Sequence, residues 1–277
     1  MLPALIATTI VWGASFVFIK LALHLGSFNL AFYRFLIATP FLYLALRGKI
    51  SGVRLQDVPG LILLALTGVT LLYAVQFVAL KYTTATNASI LINTSAVFVA
   101  LLSVLLGERL GAKTIAGMFV ALAGAVLIVS NGKIDVLSSE TLVGDLLMTF
   151  DGFLWAIYTV AGKAMLERYS PETLTFYAFA FGTILLFPFA VAEGLATRFD
   201  LIAIVSILFL AIFCSVFAYV VWYRALEVMG AARVAVFVYL IPLTTALVAH
   251  FTLGEEITIF TTLGGALVLL GVYLVES

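Results

Sequence analysis

Asp151, Trp155 and Tyr158 lie at i, i+4 and i+7, so a helix would carry an acid and two aromatic rings on one face. The run around them, "LVGDLLMTFDGFLWAIYTVAG", is largely apolar, and a central aspartate costs roughly 2.5–3.5 kcal/mol on membrane-insertion scales. A carboxyl group kept at that cost can bind a proton, a cation or a substrate ammonium. It can also stay neutral or bond a neighbouring helix and merely fix packing. Displaced by 143 residues, the same positions are Thr8, Trp12 and Ser15. Two facing stripes of this kind would line a space between the halves of the chain.

Other candidate positions have the same character. Tyr73, Gln76 and Phe77 are matched 146 residues later by Tyr219, Trp222 and Tyr223. Aromatic stripes pack helices as readily as they bind solutes, but the Gln76 amide needs a partner away from water. Thr86, Ser89 and Asn93 form a further polar stripe, with Asn87 and Thr94 beside it, and Tyr239 completes the candidate binding set. Arg34 falls within an apolar run, where snorkelling to an interface is the ordinary explanation. His24 and His250 have no acid or second histidine at ligand spacing, and Cys214 is the single cysteine. No nucleophile–base pair or metal cluster is visible, so neither an enzyme nor a cofactor or metal is expected.

Such residues need helices to hold them in a bilayer. Hydrophobic residues make up 64% of the 277 positions and charged ones 10%, with a mean hydropathy of +1.24. A soluble domain is nearer one-quarter charged. Short alternating segments of a membrane β-barrel are absent. Zero net charge argues against a nucleic-acid partner. The fold class is therefore an all-α polytopic membrane protein, with the bilayer and a small solute as partners. Charged and Gly/Pro-containing seams predict ten helices, at about 3–24, 28–47, 58–80, 84–106, 112–131, 142–167, 172–193, 200–226, 231–252 and 258–275. The first reads as a retained membrane helix rather than a cleaved signal.

The ten divide five and five around "NGKIDVLSSET", giving repeats over 1–131 and 142–277 with a connecting loop at 132–141. "LLGERLGAKTIAGMFVALAG" returns as "FTLGEEITIFTTLGGALVLLG": Gly107, Glu108, Thr114, Gly117 and Gly124 recur 147 residues later as Gly254, Glu255, Thr261, Gly264 and Gly271. The glycines are expected to let helices pack closely. Each glutamate is expected to anchor the helix that follows it.

An odd number of helices per repeat inverts the second half. Basic residues support this orientation through the positive-inside rule. With the N-terminus cytoplasmic, inside ends carry Arg47, Lys49, Arg54, Arg109, Lys113, Lys163, Arg168, Arg224 and Arg233; outside ends carry Lys20, Lys81, Lys133 and Arg198. Both termini are then cytoplasmic, in the inner or plasma membrane. Inverted halves around a central cavity can exchange conformations, which is alternating access.

The duplicated motif, with "TIVWGASFVFIK", "FLWAIYTVAGK" and "YRFLIATPFLYLAL", closely resembles the EamA domain of the drug/metabolite transporter superfamily over nearly the whole chain. The resemblance implies ten helices, cytoplasmic termini and a cavity built mainly by helices 1, 3, 4, 6, 8 and 9, often in exporters of metabolites. In one departure, Pro242 before the second motif is Ser95 in the first copy. The aromatic and neutral polar lining favours an amino acid or related metabolite; a sugar phosphate would call for more cavity-facing cations. The alternative is proton-coupled antiport of hydrophobic amines, with Asp151 as the coupling group. Monomer and homodimer both remain open.

Overall fold

The computed structural model describes residues 1–79, 82, 91–130, 142–253 and 257–276, and every regular element among them is helical. The expected connecting loop at 132–141, together with Thr86, Asn87, Ser89, Gly254 and Glu255, lies outside the described residues. Chain order gives α1 (Leu2–Ala22), α2 (Ser27–Leu46), α3 (Val58–Ala65, Leu66–Thr70 and Leu71–Ala79) and α4 (Ser95–Leu105). Then come α5 (Ala112–Ser130), α6 (Leu142–Met165), α7 (Pro171–Glu193) and α8 (Leu201–Phe209, Leu210–Phe217 and Ala218–Val228). The last are α9 (Ala231–Val236, Phe237–Tyr239 and Leu240–Leu253) and α10 (Ile259–Glu276). Among the described residues, seven helices are long and apolar enough to cross a membrane; Ser95–Leu105, Ala112–Ile128 and Ile259–Val275 are shorter apolar helices. Large apolar side chains such as Leu146, Ile184 and Leu269 face outward, as lipid-facing positions should.

Helix ends follow from local chemistry. Ser170 caps α7 by accepting from Thr173 N at 3.2 Å, with Pro171 supplying a preset first turn. Asp200 caps α8 through Ala203 N at 2.7 Å. Helix α2 takes its cap from another helix: the Glu193 carboxylate accepts from Ser27 N at 3.0 Å and Asn29 N at 2.9 Å. Gly107 has φ +91°, a left-handed conformation that makes the tight turn after α4 accessible to glycine. The expectation for Glu108 is corrected here. Instead of capping α5, it reaches Lys163 Nζ at the end of α6, 3.5 Å away. At the same end of the bundle, Arg168 and Tyr169 bind Asp57 at 2.9 and 2.6 Å, and Arg224 binds Glu172.

Packing pairs the elements in a pattern that survives exchange of the two halves. α1 packs on α9 as α6 packs on α4, and α1 on α8 as α6 on α3. α2 meets the middle of α8 as α7 meets the middle of α3. Where a helix meets its own counterpart, equivalent residues touch: Thr39 and Thr183 hydroxyls are 3.3 Å apart, and the Phe35 and Phe179 rings 4.9 Å. Both pairs differ by 144 in number, the contact a local two-fold axis produces. The motif glycines do the same between α5 and α10. A Cβ on Gly117 would lie 2.5 Å from Gly271 O, and one on Gly124 2.5 Å from Gly264 O. Only glycine allows the backbones to approach that closely, as the repeated spacing leads one to expect.

The interior helices are not uniform. Leu66–Thr70 in α3 and Leu210–Phe217 in α8 are π-helical, and adding 146 to the first range places it within the second. Widened turns of this kind often occur at functional sites, because they release backbone groups from the regular ladder. α9 is broken at Phe237–Tyr239, where Pro242 has no N–H and its ring crowds the carbonyl four residues earlier. Just before α4, the backbone also turns at Asn93 and Thr94 although Ser95 replaces the proline.

Candidate functional site

Helix α6 buries its predicted face completely. Asp151 and Tyr158 are 0% exposed and Trp155 is 9% exposed. Asp151 Oδ2 accepts from Gln76 Nε2 at 3.3 Å, whereas Oδ1 has no hydrogen-bond partner. Gln76 and Tyr73 are one turn apart on the last segment of α3; the amide reaches α6, while the Tyr73 ring packs on Phe35 and Arg34 of α2. The Asn93 turn lies close by: a Cβ on Gly152, next to Asp151, would be 3.3 Å from Ile92 O and 3.2 Å from Ser95 N.

Beyond Asp151 the expected space between the halves is occupied by aromatic rings. Trp12 of α1 packs edge-on against Trp155 at 5.5 Å and Tyr219 at 6.1 Å. Trp155 stacks on Tyr158 at 5.2 Å and meets Tyr219 and Trp222 of α8 at 5.6 and 5.5 Å. Tyr158 continues to Tyr223 at 5.1 Å. Each such pair contributes about 0.5–1.5 kcal/mol beyond area burial. Glycines make room for it. Gly68 lies directly against the Tyr158 ring and Gly162 against Tyr223.

The π turns supply acceptors to this cluster. Tyr219 OH donates to Gly68 O in the α3 turn at 3.0 Å. In the α8 turn, Cys214 O accepts from Trp12 Nε1 at 3.0 Å and from Arg34 Nη2 at 3.3 Å. Arg34 Nε also donates to Ser215 Oγ at 2.7 Å, and its guanidinium lies over the rings of Tyr73 and Phe35 at 4.9 and 5.1 Å. Snorkelling is therefore corrected: Arg34 points inward, because a π-turn carbonyl, the Ser215 hydroxyl and two π faces accommodate its donors and charge.

Trp12, Tyr73, Gln76, Asp151, Trp155, Tyr158, Tyr219 and Tyr223 thus lie in one connected region. Ser15 is beside it but returns its hydroxyl to Trp12 O at 2.6 Å. Tyr239 is fully buried in the α9 break and is not joined to the cluster by a ring contact. Trp222, named above only as part of an aromatic stripe, belongs to the cluster and donates to Thr159 Oγ1 at 3.3 Å. It is the repeat counterpart of Gln76, and that relation was the available signal. Arg34 carried no comparable signal, since its partners on α8 lie 181 and 180 residues away in sequence. The isolated His24 acquires an acid in three dimensions, Asp200 at 3.5 Å.

The geometry is that of a membrane bundle with a buried polar and aromatic centre, and known proteins match it along nearly its full length. The EamA-like transporter family profile matches residues 1–130 and again 142–277. An uncharacterized transporter of Archaeoglobus fulgidus is 54% identical over 98% of this chain and 95% of its own length. A "probable terminal-alkyne amino-acid exporter" of Streptantibioticus cattleyicolor is 31% identical over 99% of this chain and 92% of its own. A "probable amino-acid metabolite efflux pump" of Escherichia coli is 28% identical over 96% and 91%. One crystal structure superposes with a TM-score of 0.84 at 18% identity, covering 98% of this chain and 94% of that one, a likeness of fold alone. With a family match in each half, this multi-pass membrane protein belongs to the EamA-like transporters, of the drug/metabolite transporter type.

Proposed function

We propose that the chain is an alternating-access exporter of amino acids or related small metabolites. In this reading it has ten membrane helices in two inverted repeats, over 1–131 and 142–277, with both termini cytoplasmic. The packing that survives exchange of halves, the reciprocal glycine seam of α5 and α10, and the distribution of basic residues support that architecture. The observation that carries the transport site is Asp151, fully buried on the helix face that also bears Trp155 and Tyr158, with one carboxylate oxygen unpartnered. Such a group in a bilayer is a pathway residue by default. Trp12, Trp155, Tyr158, Tyr219 and Tyr223 enclose the solute, while Tyr73, Gln76 and Asn93 supply polar contacts. Ser15 and Tyr239 stand at the margin. The names of two relatives, an amino-acid exporter and an amino-acid metabolite efflux pump, support the solute class.

Opening requires the rings to part on one side while the other stays closed; equivalent contacts in the two halves would then exchange roles. Purified protein in proteoliposomes loaded with labelled amino acids is expected to release them. Absence of flux across a broad amino-acid panel would sink the amino-acid reading.

The single partner of Asp151 also favours a second reading, proton-coupled antiport of hydrophobic amines. There the carboxylate alternately holds a proton and an ammonium. pH-dependent amine flux that persists unchanged in Asp151→Asn would rule it out.

A further inference from the structure

Arg34 is a buried charge that the site described so far does not use. It enters from α2, in the opposite half of the chain from Asp151, and only 4% of its surface is exposed. Its hydrogen-bond partners are the neutral Ser215 hydroxyl, through Nε, and the Cys214 carbonyl, through Nη2. Among the described residues no carboxylate pairs with it, and Nη1 has no acceptor. A staple between α2 and α8 needs only a neutral donor. A guanidinium kept in an apolar interior without an anion is costly, and this one has donors to spare.

Two routes of contact connect Arg34 to Asp151. Along α3, the guanidinium lies over Tyr73, and Gln76, about 4.5 Å further along the helix axis, donates to Asp151. Across the cluster, Arg34 shares the Cys214 carbonyl with Trp12, whose ring packs on Trp155, one turn from Asp151. Aromatic rings therefore belong to both routes from a cation to an acid that, among the described residues, do not pair with each other.

We propose that Arg34 and Asp151 together read a zwitterion: Arg34 Nη1 takes the carboxylate of the solute and Asp151 Oδ1 its ammonium. The apolar part of the solute replaces ring–ring contacts among Trp12, Trp155 and Tyr219. The substrate class is a free amino acid with an apolar or aromatic side chain, bound with both charges. This rests on the transport reading above and narrows it. A planar guanidinium suits one carboxylate, whereas a polyanionic phosphate ester would leave charge unmatched.

The three tryptophans of the chain, Trp12, Trp155 and Trp222, all belong to this cluster, so intrinsic fluorescence reports its occupancy. Purified full-length protein is titrated with L-phenylalanine, phenethylamine and 3-phenylpropionate. Wild type is expected to bind the amino acid about 10- to 100-fold more tightly than either single-charge analogue, the scale of a lost hydrogen bond to a charged group. In Arg34→Gln the advantage over phenethylamine disappears while the amine still binds; in Asp151→Asn the advantage over 3-phenylpropionate disappears. Arg34→Lys keeps part of the first advantage.

Wild type binding phenylalanine no more tightly than phenethylamine overturns the proposal, and that comparison needs no variant to fold. A folded Arg34→Gln with the wild-type ratio overturns it equally. Proteoliposome flux separates the two levels. Amine flux without amino-acid flux removes the zwitterion and keeps transport, whereas no flux for any of the three probes or for the amino-acid panel removes both.

Discussion

The π turns of α3 and α8 stand at equivalent places in the two halves, and yet different chemistry reads them. Gly68 O and Cys214 O are 146 residues apart, the offset that relates the helices themselves. Gly68 O receives one neutral donor, the Tyr219 hydroxyl. Cys214 O receives an indole N–H and a guanidinium. The same contrast runs through the centre. Asp151 corresponds to Thr8, which returns its hydroxyl to Ala4 O at 3.1 Å. Gln76 corresponds to Trp222, and Arg34, at the offset that joins Phe35 to Phe179, corresponds to Ala178. The scaffold kept its two-fold relation because backbone packing needs it in both copies. In the proposed transport reading, the centre differs between the copies because a solute is not two-fold symmetric.

That contrast can be broken from the scaffold side with the largest effect. Gly117→Val and its counterpart Gly264→Val each drive a side chain onto a backbone carbonyl, 2.5 and 2.6 Å from the position of the new Cβ. Both are expected to cost about 3 kcal/mol, the upper end of overpacking, and to lower the thermal midpoint in detergent by similar amounts. A large inequality between them would show that the seam is not equivalent in the two halves.

At the centre the expectation reverses, and counterparts should differ. Asp151→Asn is expected to lower solute flux roughly 30- to 100-fold, the worth of a charged hydrogen bond. Thr8→Ala should leave flux within about twofold of wild type, because its hydroxyl bonds only its own helix. Equal losses would place the function in the symmetric frame instead.

The smallest effects belong to the π-turn carbonyls. Tyr219→Phe removes the one donor to Gly68 O and is expected to destabilise by about 1 kcal/mol. Trp12→Phe leaves Arg34 on Cys214 O but also trims a ring packed on Trp155, Tyr219 and Trp222, so its loss in thermal unfolding should be somewhat larger, about 1–2 kcal/mol. A loss no larger than that of Tyr219→Phe would assign the α8 turn to the guanidinium alone.

Much of this was legible from spacing. The face Asp151–Trp155–Tyr158 was readable because helical periodicity alone puts those residues together. The motif glycines were readable because duplication at one offset marks them as structural. The fate of Arg34 was not readable, since a local apolar window permits snorkelling and inward burial alike. Glu108 was misassigned for a related reason: the nearest helix start in sequence is α5, but Lys163 at the end of α6 is nearer in space. The position of Tyr239 was not readable either, since it depends on the break in α9 at Phe237–Tyr239.

By itself the amino-acid sequence determined a polytopic helical membrane chain, its internal duplication, its family and the helix face that bears the buried acid. These follow from composition, periodicity and residue identity, which are properties of the chain as written. Only the tertiary structure decided that both third helices of the halves widen into π turns, that one π-turn carbonyl holds an arginine inside the bundle, and that the central rings close on one another. Those outcomes depend on which helices meet and how closely. The reciprocal glycine contacts of α5 and α10 and the paired packing of the remaining helices settle that, and no single segment encodes it.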